Sequence, residues 1–341
     1  MSFAETSQVL LAYYLKPIEA LLKMDGVTNI FVNRFDTIYY EKGGHRCRWE
    51  DGWRDEAALI SSIETLARNL SQPMSQDEPL LDARLADGSR VNAILPPVSR
   101  DASMSVRVFP VTAITGEQLV EWGSLTTPLL SYLRQCVQQQ RNILVSGCVD
   151  SGKTTLLKVL LDEIPREHRL VVIEDTTEIR IDPAKHIDFV QLEAAHRPTR
   201  PGVTPVGMDR LIKNALRMSP AALVLGEVRD AEAASALRIL MNTGLRGILA
   251  TLHANDAADT LIRLQDLIAE RSPNTAYNII AENLRRNIDV VVNCTHRQGL
   301  GRMISEVAEI RGQEVVHIFK YDFDRRSLIA DEAALSGSMF L

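Results

Sequence analysis

The 341-residue chain has no apolar run approaching the ~20 residues that a membrane-spanning helix needs. From Met1 to Gln8 no basic segment leads into an apolar core, so no secretory signal is expected. The four cysteines, Cys47, Cys136, Cys148 and Cys294, show no Cys-x-x-Cys spacing. That argues against a thiolate metal site and points to a reduced, cytoplasmic compartment. Positive charge is not in excess either. The net charge is −6 and neither half of the chain is net basic, which argues against direct nucleic-acid binding as the main activity. What is present, 45% hydrophobic and 24% charged residues, is ordinary for globular protein, and the length suggests two domains.

The most informative stretch runs from Asn142 to Thr155. Ile143, Leu144 and Val145 predict a short buried strand, and Thr155 to Leu161 continues as a helix. Between them Gly147, Gly152, Lys153 and Thr154 fit the phosphate-binding loop pattern. Glycines let backbone N–H groups turn inward around a triphosphate at the positive end of the following helix. Gly147, Cys148, Val149, Asp150, Ser151, Gly152, Lys153, Thr154 and Thr155 are therefore expected to line ATP. Lys153 would reach the β- and γ-phosphates, and the Thr154 hydroxyl would hold Mg²⁺.

Ahead of this stretch, helical spacing over Val9–Met24 is interrupted by Pro17. Thr28–Val32, Thr37–Glu41 and His45–Trp49 read as strands, Ala57–Leu70 as a helix, and Ser71–Leu80 as a loop. Ala83–Leu85, Ser89–Ile94 and Ser103–Phe109 read as further strands, the first two joined at Asp87-Gly88. Arg84, Arg90, Arg100 and Arg107 thus sit on or beside one small sheet. Each is either a solvated strand residue or a cation serving the nucleotide-binding domain. Weak periodicity over Pro110–Thr127 suggests an interdomain connection. The expected division is an α+β domain over 1–112, a linker over 113–128 and an ATPase domain over 129–341.

Downstream, a helix is expected from Leu129 to about Gln140, and strands at Leu170–Ile173, Ile187–Leu192, Ala222–Leu225 and Ile248–Leu252. Helices are expected at Asp209–Met218, Ala231–Met241 and Ala257–Ile268, with a loop over Arg197–Gly207. Later strands fall at Ile288–Asn293, Met303–Ile310 and Val315–Tyr321. This alternation predicts an α/β fold with a mainly parallel sheet and helices on both faces. Ligands of such sheets bind at the carboxyl ends of strands, where Glu174, Asp175, Glu178, Glu227 and His253 all fall.

Taken together, these segments resemble the type II/type IV secretion ATPase superfamily, especially the branch serving type IV secretion and conjugation. Gly26–Asn33 looks like the family's first strand and Asp82–Pro97 like its arginine-bearing segment. Ile173–Glu178 is similar to the acidic Asp box, Arg217–Asp230 to the Walker B region, and Thr251–Asn255 to the His box. One position departs: Leu245 follows Thr243-Gly244 where the family often carries histidine, so that contact is not carried over.

The resemblance implies a RecA-like P-loop NTPase domain behind a smaller α+β domain. It also implies a homo-hexameric ATPase at the cytoplasmic face of the inner membrane, peripherally associated with components of a secretion, conjugation or pilus apparatus. Phosphoryl transfer needs charge neutralisation, an oriented water and a cation on the γ-phosphate. Glu227 is expected to orient or deprotonate water, with Glu178 as the alternative base, and His253 to sense phosphate. Glu174, Asp175 and Glu178 would hold Mg²⁺ or its waters, and Arg90 or Arg107 would supply the extra cation, within a subunit or from a neighbour. A RecA-like nucleic-acid motor or helicase is the alternative and would want a basic channel. A transporter nucleotide-binding domain would need a Ser-Gly-Gly signature, which is absent. A non-hydrolysing scaffold fits poorly with the intact acidic set.

Overall fold

Alternating buried side chains, Ile30 and Val32 on one strand against Met104 and Val106 on another, build the first of two compact units, Met1–Ala113 and Ile114–Leu341. The computed structural model describes residues 14–70, 72, 74–75, 77–85, 88–108, 114–195, 204–338 and 340. The expectations for residues 9–13, for Asp87 and for Arg197 to Val203 lie outside the described residues.

In the first unit a 3₁₀ turn, Lys16–Ile18, carries Pro17 in its first turn and leads into α1 (Glu19–Lys23). Proline here starts a helix because its missing N–H would have no partner there. Then follow β1 (Val27–Arg34), β2 (Thr37–Lys42), β3 (His45–Trp49), α2 (Glu56–Asn69), β4 (Leu80–Arg84), β5 (Arg90–Ile94) and β6 (Ser103–Arg107). The strands form one antiparallel sheet in the order β3-β2-β1-β6-β5-β4. Asp55 caps α2 by accepting from the Ala58 N–H at 2.8 Å, and Leu59, Ile63 and Leu66 join the unit's apolar core. Arg84 pairs in register with Arg90, and Arg90 with Arg107, so three arginines line up across adjacent strands. Like charges directly opposed cost a sheet stability.

The second unit opens with α3 (Gly116–Glu121) and α4 (Thr127–Gln138). The sheet and its covering helices follow: β7 (Ile143–Gly147), α5 (Lys153–Leu161), β8 (Leu170–Glu174), β9 (Phe189–Glu193), α6 (Met208–Ala215), β10 (Ala222–Leu225), α7 (Ala231–Met241), β11 (Ile248–Leu252) and α8 (Ala257–Arg271). After α9 (Tyr277–Asn287) come β12 (Val290–Arg297), β13 (Gly301–Arg311), β14 (Glu314–Asp322), β15 (Ser327–Ala330) and α10 (Glu332–Ser336). The nine strands are ordered β15-β14-β13-β12-β7-β11-β10-β8-β9. From β12 to β9 the pairs are parallel, while β13, β14 and β15 extend the sheet antiparallel. Successive residues of the central strands feed opposite faces: Val145, Val172 and Val224 pack with α4 and α5, and Leu144, Val171 and Leu223 with α6 to α9.

Of the segments that differ from the sequence-based expectation, two bear on the second unit's core. Residues 116–121, expected within the linker, are helical: Thr115 and Gln118 make a reciprocal capping box, and Leu119 and Leu125 join the second unit's core. The segment is also tied to β13, where Ile304 N–H donates to Ser124 O at 2.9 Å. A six-residue helix is too short to show periodicity. The other is α9, which buries only Ile280 and Leu284 and so presents a faint apolar stripe.

Candidate active site

Strand β7 is buried along its length and delivers Gly147 at its carboxyl end with φ 147°. A β-carbon on Gly147 would lie 2.2 Å from the Cys294 carbonyl and 2.5 Å from Ser151 Oγ, so no larger residue fits. Asp150 (φ 61°) and Gly152 (φ 96°) are both left-handed, and Gly152 caps α5. Left-handed residues in such a loop curl backbone N–H groups toward a common centre. Cys148, Val149 and Asp150 are exposed, Ser151 is buried, and Thr154 and Thr155 lie half-buried on the first turn of α5.

Lys153 is buried. Its ammonium donates to the Gly147 carbonyl at 2.9 Å and the Cys148 carbonyl at 2.7 Å, and lies 3.3 Å from His253 Nδ1. Burial pulls its pKa below the usual lysine value. The order β7-β11-β10-β8 then sets the other strand ends in a row beside the loop. Lysine can only donate, so Nδ1 of His253 accepts and the ring's proton belongs on Nε2. That Nε2 is 2.5 Å from Glu227 Oε1, a close polar contact rather than an aligned hydrogen bond, since Oε1 is buried without one. Thr251 Oγ1 donates to the Gly226 carbonyl at 2.5 Å and Val228 N–H to the Thr251 carbonyl at 2.8 Å, fixing the turn that carries Glu227.

Arg229 joins the site although its role is not legible in the sequence. Its Nε donates to Glu227 Oε2 at 2.5 Å and its Nη1 to Asp175 Oδ2 at 3.3 Å. The available signal is spacing: residues 227 and 229 lie on the same side of an extended chain. Lys153, His253, Glu227, Arg229 and Asp175 thus form one continuous line of polar contacts across four strand ends.

Glu174 requires a correction. It was expected to face Mg²⁺, but it is 2% exposed and both its oxygens are occupied. Oε1 accepts from the N–H groups of Glu178 (2.7 Å) and Ile179 (3.0 Å), and Oε2 from Gln191 Nε2 (3.0 Å). Burial raises its pKa above the usual carboxylate range. Glu174 therefore shapes the turn that presents Asp175 and Glu178. It also packs under Gly226, where a β-carbon would come within 2.9 Å of its Cγ.

Among the described residues no group of three or more His, Cys, Asp or Glu side chains could hold a metal by itself. The remaining oxygen donors, from Thr154, Asp175 and Glu178, suit Mg²⁺, which takes one or two protein oxygens and completes its shell with phosphate and water. Beside α5 lies a cavity of about 290 Å³ walled by Ile114, Leu119, Trp122, Leu125, Leu300 and Met303, with Gly152 and Thr155 at its edge. Leu245 packs against the apolar core. Arg90, Arg100 and Arg107 belong to the first unit, half-buried on β5, exposed ahead of β6 and exposed at the end of β6 respectively.

This sheet order and loop placement, behind an α+β unit, are those of a RecA-like P-loop NTPase fold. Solved structures support the fold. The pilus retraction motor PilT with bound ADP superposes with TM-score 0.66 at 19% identity, covering 96% of each chain. The ATPase DotB of Legionella pneumophila gives 0.62 at 19% identity, covering 89% of this chain and 81% of that one. In sequence, the probable conjugal transfer protein TrbB of Sinorhizobium fredii is 31% identical over 288 residues, 83% of each chain. The type IV secretion system protein PtlH of Bordetella pertussis is 30% identical over 324 residues, 87% of this chain and 94% of its own. The family model described as type II/IV secretion system protein matches residues 12–329, and the chain belongs to that family. No helix among the described residues is long and apolar enough to cross a membrane.

Proposed function

We propose that this chain is an Mg²⁺-dependent ATPase that powers a type IV secretion, conjugation or pilus machine. It would act as a homo-hexamer, cytoplasmic and docked on inner-membrane components. The observation that carries the reading is the contact line from Lys153 through His253 to Glu227 beside the phosphate loop. An arriving triphosphate would exchange the Gly147 and Cys148 carbonyls for phosphate oxygens at the Lys153 ammonium, a stronger partner for a buried cation. Thr154, Asp175 and Glu178 would hold Mg²⁺, which supplies charge neutralisation on the phosphates. Glu227 orients and deprotonates the attacking water, and His253, touching both Lys153 and Glu227, couples phosphate occupancy to the position of that base. Arg229, donating from Nε to Glu227 Oε2, fixes the orientation of that carboxylate. The apolar cavity beside α5 takes the base, whose faces need only non-polar contact. Arg90 or Arg107 would supply the further cation on the γ-phosphate, within a subunit or from a neighbouring one.

Lys153→Ala tests the reading. The change removes a phosphate contact without opening the main apolar core, so the protein should fold and lose measurable ATP turnover. Undiminished turnover by the folded variant would exclude this loop as the engine. The net charge of −6 gives no support to the nucleic-acid motor alternative.

A further inference from the structure

Asp150 places a carboxylate inside a loop whose neighbours surround phosphate. The loop's one cation, Lys153, is turned onto the Gly147 and Cys148 carbonyls, and the other residues from Gly147 to Gly152 are uncharged. The compensation comes from 152 residues away. Arg302, the second residue of β13, donates from Nε to the Asp150 carbonyl at 2.8 Å and from Nη2 to Asp150 Oδ1 at 2.6 Å. The two bonds grip backbone and side chain of the same left-handed residue (φ 61°). The sheet explains the reach. β12 runs parallel to β7 with Cys294 opposite Gly147, and β13 pairs Arg302 with His296. Arg302 is itself held, since its carbonyl accepts from Ser124 Oγ at 2.8 Å. Its Cδ passes 3.6 Å from where a β-carbon on Gly152 would stand, so the stem lies along the loop. His296 Nδ1 stands 3.9 Å from Asp150 Oδ2 as a weaker second partner.

We propose that Arg302 is a positioning residue for nucleotide binding: by pairing with Asp150 it offsets that carboxylate's charge and fixes its left-handed turn. This rests on the reading that the loop binds a nucleoside triphosphate. Both side chains are more than half exposed, so the pair contributes little to the stability of the fold. Its effect falls on the ligand. An uncompensated carboxylate several ångströms from a polyphosphate repels it, and through a partly aqueous medium that repulsion weakens binding about tenfold.

The test is the affinity of the full chain for a non-hydrolysable ATP analogue with Mg²⁺, by titration calorimetry, alongside thermal unfolding. Arg302→Ala should bind about tenfold more weakly with little change in unfolding temperature, and the loss should shrink at high salt. Asp150→Asn removes the charge while keeping a residue type that accepts the left-handed turn. The double variant should therefore bind more tightly than Arg302→Ala alone. Asp150→Asn by itself frees a guanidinium beside the phosphates and should bind about threefold more tightly than wild type. A double variant as weak as Arg302→Ala would mean that the guanidinium touches nucleotide directly and would overturn the inference, as would an unaffected Arg302→Ala. If Arg302→Ala does not fold, Asp150→Asn decides: tighter binding supports the pair and weaker binding overturns it. No binding by the wild type overturns the functional reading and this inference with it, whereas wild-type binding with an unaffected Arg302→Ala overturns the inference alone.

Discussion

His253 and Glu227, contributed by different strands, face one another at 2.5 Å between Nε2 and Oε1. The same imidazole sits 3.3 Å from the Lys153 ammonium through its other nitrogen. One ring therefore touches both the Lys153 ammonium and the Glu227 carboxylate. If phosphate draws Lys153 away, the ring loses one partner and its hold on Glu227 should change.

If Glu227 is the base, Glu227→Gln keeps shape and removes the group that accepts the proton. Nucleotide should still bind, while hydrolysis falls at least ~10²-fold. Single-turnover measurements separate binding from chemistry. Loss of chemistry in Glu178→Gln with Glu227→Gln still active would reverse the assignment.

The cysteines offer a probe that does not depend on turnover. Cys148 is exposed on the phosphate loop, whereas burial pushes the Cys294 and Cys136 thiols up to about 12. Only the thiolate alkylates, so iodoacetamide at neutral pH should label Cys148 well before either buried thiol. Saturating nucleotide should slow the Cys148 reaction several-fold, read by peptide mass spectrometry. An unchanged rate would place the phosphates elsewhere.

Glu174 predicts a pH dependence of folding. Its folded pKa is raised from 4.5 by burial, so its contribution is fully present below pH 4.5 and is lost as pH rises through the folded value. The stability of wild type relative to Glu174→Gln should therefore be highest near pH 4.5 and decline above it. Each tenfold difference in proton affinity between folded and unfolded states is worth about 1.4 kcal/mol. Urea unfolding of both proteins from pH 4 to 8 checks this; a difference that grows with pH contradicts it.

Assembly and the first unit's arginines can be tested with a fragment. Leu119 and Leu125 pack into the second unit's core, so the fragment must begin by Ile114 rather than at Leu129. Residues 114–341 should bind nucleotide yet hydrolyse it poorly, and Arg90→Ala and Arg107→Ala in the full chain should lower turnover more than affinity. Mixing Lys153→Ala subunits with arginine variants should restore turnover if those cations act across subunits. Sedimentation of a fully active monomer would end the ring proposal.

The parts of the molecule legible in the sequence are those written locally. Ala222–Leu225, Ala231–Met241 and Ile248–Leu252 begin and end where apolar runs and capping residues place them. The phosphate loop is legible because its glycines, lysine and threonine all fall between Gly147 and Thr154. Arg302 was not, because its partner lies across a strand pairing that no local pattern announces. Glu174 and Glu178 look alike as text; what separates them is that one is buried and accepts three N–H bonds. Thr115 and Gln118 have the residue types and spacing of a capping box, but the six residues that follow Thr115 are too few for a helical period to show.

The contact between Glu174 and Gly226 bears on how force would leave such a site. The space between the Glu174 side chain and the strand end carrying Glu227 is so small that a β-carbon at position 226 would displace one or the other. In a motor, close packing of this kind would let a small chemical event at one strand end be felt at the next, and a serine or alanine at position 226 would have to force the two apart.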